Sequence, residues 1–135
     1  MAVDNVYSAL IGALKANTTI ETQLGHYAGT TTALIKAGVL AETETDRPAI
    51  TIRLESMEEL NPTYGNESFI LLVSASSEIT STKIARSIIT ELDNTLVNID
   101  GFAMWFSCKG LGSNGEPTTN EISTPVTMRV IYRRD

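Results

Sequence analysis

The chain has 135 residues, of which 42% are hydrophobic and 19% charged, and its formal net charge is −6. That length and apolar content suit a single domain over residues 1–135 whose core needs no metal or disulfide staple. The acidic balance argues against nonspecific binding to nucleic acid or anionic membranes, because phosphate contact requires clustered Lys and Arg. Arg129, Arg133 and Arg134 form the short basic spots. The one cysteine, Cys108, has no intrachain partner and falls in a hydrophobic strand pattern, where it reads as a small buried hydrophobe. No apolar run approaches the ~20 residues of a spanning helix. "MAVDNVYSAL" lacks the basic and apolar regions of a signal peptide. The expectation is a soluble protein made in a reducing cytosol.

In chain order, "VDNVYSALIGALKAN" places Val3, Val6, Leu10, Ala13 and Leu14 at helical spacing. This predicts an amphipathic helix over about 4–16, with Asp4 or Asn5 as N-cap and Asn17 near its end. No single period holds over 17–46. Within it, "TTALIKAGVL" suits a short helix ended by Gly38 or part of an irregular arm, and "AETETD" reads as a solvated acidic loop. After Pro48, "AITIRLES" alternates Ile50, Ile52 and Leu54 against Thr51, Arg53 and Glu55, a strand. "MEELNPTYGNES" carries turn signals.

"SFILLVSA" is a strand apolar on both sides through Ile70 and Leu72, so something should cover both of its faces. The helix that follows shows a stripe of Ile84, Ala85, Ile88, Ile89, Leu92 and Leu96. It is expected over about 81–97, capped by Thr80, with Ile79 and Ile84 as a hydrophobic staple. "FAMWFSCK" and "TPVTMRVIYRR" alternate as two further strands, joined by the polar, Gly-rich "GLGSNGEPTTNE". The order α-β-β-α-β-β predicts an α+β domain: a mainly antiparallel sheet of about four strands with two helices packed on it.

Residue types that carry chemistry are sparse. A nucleophilic serine needs a base and a group to orient it. His26 is the only histidine, and the strand-to-helix turn reads "LVSASSEIT" with no Gly-x-Ser-x-Gly elbow. The serines there read as strand-end and capping hydroxyls. One His and one Cys cannot build a zinc site, and "ETETD" and "MEEL" lack calcium-loop spacing. "GLGSNGEP" has no Gly-Lys-Ser/Thr after it and opens no helix. The sequence predicts no enzyme activity, no cofactor and no metal. Trp105 reads either as core packing or as an interface anchor.

The order of features along nearly the whole chain resembles the tail-completion, or tail-terminator, proteins of long-tailed bacteriophages and related prophage particles. The resemblance rests on "VYSALIGALKAN", on "DRPAITIRLES" after a variable arm, on "SFILLVSASS" running into "STKIARSIITELDNTL", and on the closing "VTMRVIYRR". The arm "TTTALIKAGVLAETETD" is longer than the family's usual connection.

The resemblance implies a structural virion protein. It would form a homo-oligomer, a hexameric ring, that caps the head-proximal end of the tail tube and stops polymerisation. Its partners would be the tail-tube protein and a head-connector or neck protein, with DNA passing through the lumen without sequence-specific binding and no membrane involved. Its location would be the virion, and the host cytoplasm during assembly. Candidate interface residues are Arg53, Glu55, Glu58 and Glu59 around the first strand, Trp105 on the "FAMWFSCK" strand, Asn114 and Glu116 in the loop that follows, and Arg129 and Arg133 on the last strand. Two alternatives remain: another phage neck or tail-tube protein, or a regulatory α+β domain holding a small ligand in a helix–sheet crevice.

Overall fold

The computed structural model describes residues 2–59, 64–99, 101–110 and 122–134, with side-chain detail over 6–56, 64–99, 101–110 and 122–133. Its elements in chain order are α1 (Ala2–Ala16), α2 (Thr18–Glu21), β1 (Ile35–Ala37), β2 (Ala49–Glu59), β3 (Tyr64–Ala75), α3 (Glu78–Leu92), β4 (Leu96–Ile99), β5 (Phe102–Gly110) and β6 (Ile122–Arg134). The six strands form one sheet in the order β1-β2-β3-β6-β5-β4. Only the β1–β2 pairing is parallel. The α+β class and the mainly antiparallel sheet are as expected, but the described residues hold two more strands and one more helix than the sequence reading.

The reason lies in lengths. β1 spans three residues and β4 four, too short for alternation to declare itself. Ile35–Ala37 is a strand rather than part of a helix, because it lies beside Ile50–Ile52 of β2. Gly38, at φ 92°, turns the chain out of the sheet just afterwards. Asn17 ends α1 and also caps α2, where its side chain accepts the Ile20 N–H.

α3 starts and stops earlier than its apolar stripe suggested. Ser77, not Thr80, is the N-cap, and its Oγ accepts the Thr80 N–H at 3.2 Å. Ile79 therefore lies inside the helix and is 83% exposed, so no staple forms with Ile84. The helix closes at Leu92, and Asn94 adopts φ 58°, the left-handed conformation that Asn tolerates at a helix end. Leu96 consequently belongs to β4 and is 65% exposed.

The helices cover one face of the sheet. Tyr7 of α1 meets Phe69 of β3 edge to face, with centroids 5.3 Å apart, and its hydroxyl accepts the Leu54 N–H at 3.0 Å. Asn17 and Gln23 tie α2 to Glu91 and Ser87 of α3. The core between the layers holds Leu10, Leu14, Ile52, Phe69, Leu71, Ile84, Ile88 and Phe106, each essentially inaccessible. Burying one such side chain contributes roughly 1.5–3 kcal/mol. Ile20, Leu24, Leu34 and Ile35 are buried as well, so the irregular 17–46 segment contributes to the core as far as Ile35 rather than being an arm throughout.

Candidate interaction surface

Register assigns every strand residue to a face. Phe69 pairs with Leu54 and Met128, which places the odd positions of β3, the even positions of β6 and the even positions of β5 toward the helices. The other face is left to Thr51, Arg53, Ile70, Leu72, Trp105, Lys109, Arg129, Ile131 and Arg133, of which none is buried. The expectation that both sides of β3 are covered is therefore met on one side only, since among the described residues no element packs over Ile70 and Leu72.

That open face is organised in cross-strand rows. Arg53, Ile70, Thr127 and Lys109 form one row, and Ser68, Arg129 and Ser107 the next. Asn66, Ile131, Trp105 and Leu96 form a third, and Tyr64, Arg133, Ala103 and Asn98 a fourth. Lys36 joins from β1 beside Thr51, so Lys36, Arg53, Lys109, Arg129 and Arg133 place five of the chain's ten Lys and Arg residues here. A chain of net charge −6 thus presents a cationic sheet face.

Four of the nine interface residues expected from sequence, Arg53, Trp105, Arg129 and Arg133, lie on this face. Arg53, Arg129 and Arg133 are exposed there, and Arg129 Nε donates to Asn66 Oδ1 at 3.1 Å. Trp105 is half-buried on the same face, away from the helices, with Nε1 donating to Asn94 Oδ1 at 3.1 Å. Glu55 is exposed at a bulge where the β2–β3 register shifts between Leu54 and Ser56. Backbone pairing sets Glu58 opposite Asn66 and Glu59 opposite Gly65. Asn114 and Glu116 lie outside the described residues. Sequence reasoning missed Leu96 and Tyr64. Asn94 offered a signal for the end of the helix, since Asn tolerates the left-handed conformation there, but not for the pairing of Leu96–Ile99 with β5.

The groups considered for chemistry are engaged locally. Ser77 caps α3, Ser74 Oγ lies 3.0 Å from Ser123 Oγ, and buried Ser81 bonds Val73 O at 2.6 Å and Thr124 Oγ1 at 2.7 Å. His26 has its backbone N–H held by Asp46, whose carboxyl is lowered in pKa by the His26 and Arg47 backbone N–H groups that it accepts. Burial, with Asp93 nearby, pushes the Cys108 thiol up to about 12, so it is protonated at neutral pH. Among the described residues no group of three or more His, Cys, Asp and Glu is placed to hold a metal ion. No helix among them is long and apolar enough to cross a membrane.

The comparisons with known proteins speak to the fold. A chain from the virion of a native gene transfer agent (GTA) particle shares it. The two superpose with a TM-score of 0.58 over 94% of this chain and 93% of that one, at 13% sequence identity. No protein-family model matches the sequence, and no curated protein sequence does.

Proposed function

We propose that this chain is a structural virion protein of phage-like particles, with an assembly role and no catalytic one. In its finer form the proposal is a tail terminator: a hexameric ring at the head-proximal end of the tail tube that stops polymerisation and docks the tail to the head connector. It resides in the virion and, during assembly, in the host cytoplasm. The observation that carries the reading is the open sheet face, a six-stranded surface with half-exposed Ile70, Leu72 and Trp105 set among cations. Apolar surface of this kind marks a contact site. The near full-length fold likeness to a chain of a virion supports the same reading.

Packing the cationic face between neighbours keeps it away from the ring lumen, so that the remaining acidic surface repels DNA during passage. Native mass spectrometry and negative-stain microscopy of the purified chain test the ring, and addition to polymerising tail-tube subunits tests the arrest of growth. Closed rings that halt tube elongation are the expected result. A chain that stays monomeric and leaves tube length unchanged sinks the proposal, and a lumen lined with Lys and Arg sinks its account of DNA passage.

A further inference from the structure

A ring built head to tail needs two unlike surfaces on each copy, because a patch paired with itself closes at a dimer. The sheet face offers one of them. The exposed large hydrophobics of the described residues are Val39, Tyr64, Ile79, Leu96 and Ile131, and three of these five gather at one corner of that face. Tyr64, Leu96 and Ile131 surround a shallow hollow of about 260 Å³, which Ala103, Tyr132 and Arg133 complete. Arg129 stands two residues from Ile131 on the same face, so an apolar hollow has cations on two sides.

The complementary surface follows β1. Gly38 turns the chain out of the sheet while its N–H bonds Ile52 O at 2.9 Å, and Val39 then stands 84% exposed. The acidic stretch comes next. Glu44 N–H bonds Ala41 O at 2.9 Å, Glu44 Oε2 accepts the Ala28 N–H at 2.8 Å, and Asp46 Oδ2 accepts the His26 N–H at 2.9 Å. These bonds clamp the arm onto the 26–28 segment, so Val39 and exposed Glu42 are presented at little further cost in ordering. Glu42 lies three positions after Val39, a reach of at most about 10 Å. Ile131 and Arg129 are about 7 Å apart along their strand.

The arm leaves from the β1 edge of the sheet, whereas the hollow lies toward the β4 edge, so the two surfaces face different neighbours. Ile79 is the other strongly exposed apolar side chain, but it lines a groove in which Glu78 and Glu91 balance Lys83 and Arg86. That groove has no net charge to set against Arg129 and Arg133. Val39, followed by acids, matches both the apolar hollow and its charge.

We propose that the 38–46 arm of one copy docks on the open sheet face of the next, with Val39 in the Tyr64–Leu96–Ile131 hollow and Glu42 paired with Arg129. The inference rests on the ring reading and specifies its subunit contact.

Sedimentation velocity on the full chain tests it. Val39→Asp and Ile131→Asp should each weaken self-association by at least about tenfold. The thermal melt of Val39→Asp should match the parent, since Val39 is 84% exposed, whereas Ile131→Asp, at a 37% exposed position of a central strand, should melt somewhat lower. The first variant keeps its hollow and the second keeps its arm, so their mixture should form a one-to-one complex and grow no further. Glu42→Arg and Arg129→Glu should each weaken association, and the double variant should recover it; this pair carries the test if an apolar variant loses stability. Rings from the parent chain with association unchanged in all four variants overturn the docking and leave the ring reading standing. A mixture that yields no complex overturns the head-to-tail geometry. A parent that remains monomeric and does not arrest tubes removes the ring reading, and the docking with it.

Discussion

Ser81 has one proton and meets two oxygens, and the Val73 carbonyl can only accept. Ser81 therefore donates to Val73, and Thr124 donates to Ser81, which ties α3 to two adjacent strands. Ser81→Ala strands a buried hydroxyl and should lower stability by about 1–3 kcal/mol in urea unfolding, whereas Ser81→Ala with Thr124→Val should recover part of that loss. Cys108 makes a prediction about pH. Its folded pKa lies above the ordinary value of 9.0, at about 12, so the unfolded chain releases the proton first as pH rises. Stability should then fall from pH 9 toward pH 12, and Cys108→Ser should flatten that fall in chemical denaturation curves. Native alkylation at neutral pH should be slow and should accelerate on unfolding. The structural role of the serines and the quiet character of Cys108 were legible in the sequence, because both follow from residue type and pattern. That Ser77 rather than Thr80 caps the helix was not, since Ser and Thr compete equally for the position and only the chain path decides between them.

The β3–β6 pairing has one point with no tolerance. Gly65 sits opposite Tyr132, and a methyl group there would overlap the Tyr132 ring. Gly65→Ala should cost about 1–3 kcal/mol in urea unfolding, because the ring is held edge to face by Phe102 at 5.5 Å and has little room to yield. The long elements, α1, β2, β3, β5 and β6, were readable from periodicity in kind, since each repeats its pattern, but not in extent: α1 starts at Ala2, so Asp4 and Asn5 lie inside it rather than cap it, and β2 to Glu59 and β3 from Tyr64 take in most of the stretch read as a turn. β1 and β4 were not, because a strand of three or four residues exists through its neighbour, and pairing with Ile50–Ile52 or Phe102–Trp105 is nonlocal information. Leu96 shows the effect most plainly. It continues the helical stripe of α3 in sequence, yet Asn94 ends the helix and moves Leu96 to the opposite side of the sheet from Leu92.

For the whole molecule, the 17–46 segment divides in two. Ile20, Leu24, Leu34 and Ile35 are core, so deleting 17–46 should abolish cooperative thermal unfolding. Replacing 39–45 with a Gly/Ser linker should preserve a cooperative transition while reducing self-association. The sequence marked three of the five cations of the candidate surface, Arg53, Arg129 and Arg133, but not Lys36 and Lys109 or their gathering with Leu96 and Tyr64, which needs the sheet order. That order also shapes how a free chain behaves before it finds a partner. β2 runs to Glu59, but β1 accompanies it only as far as Ile52. A bare strand edge of this length invites runaway pairing between chains. Here the Leu54 N–H is already taken by Tyr7, and a bulge with an exposed Glu55 breaks the line just beyond it. At that edge an incoming strand meets one tyrosine hydroxyl and one glutamate out of register, both of which oppose indiscriminate strand exchange between newly made copies.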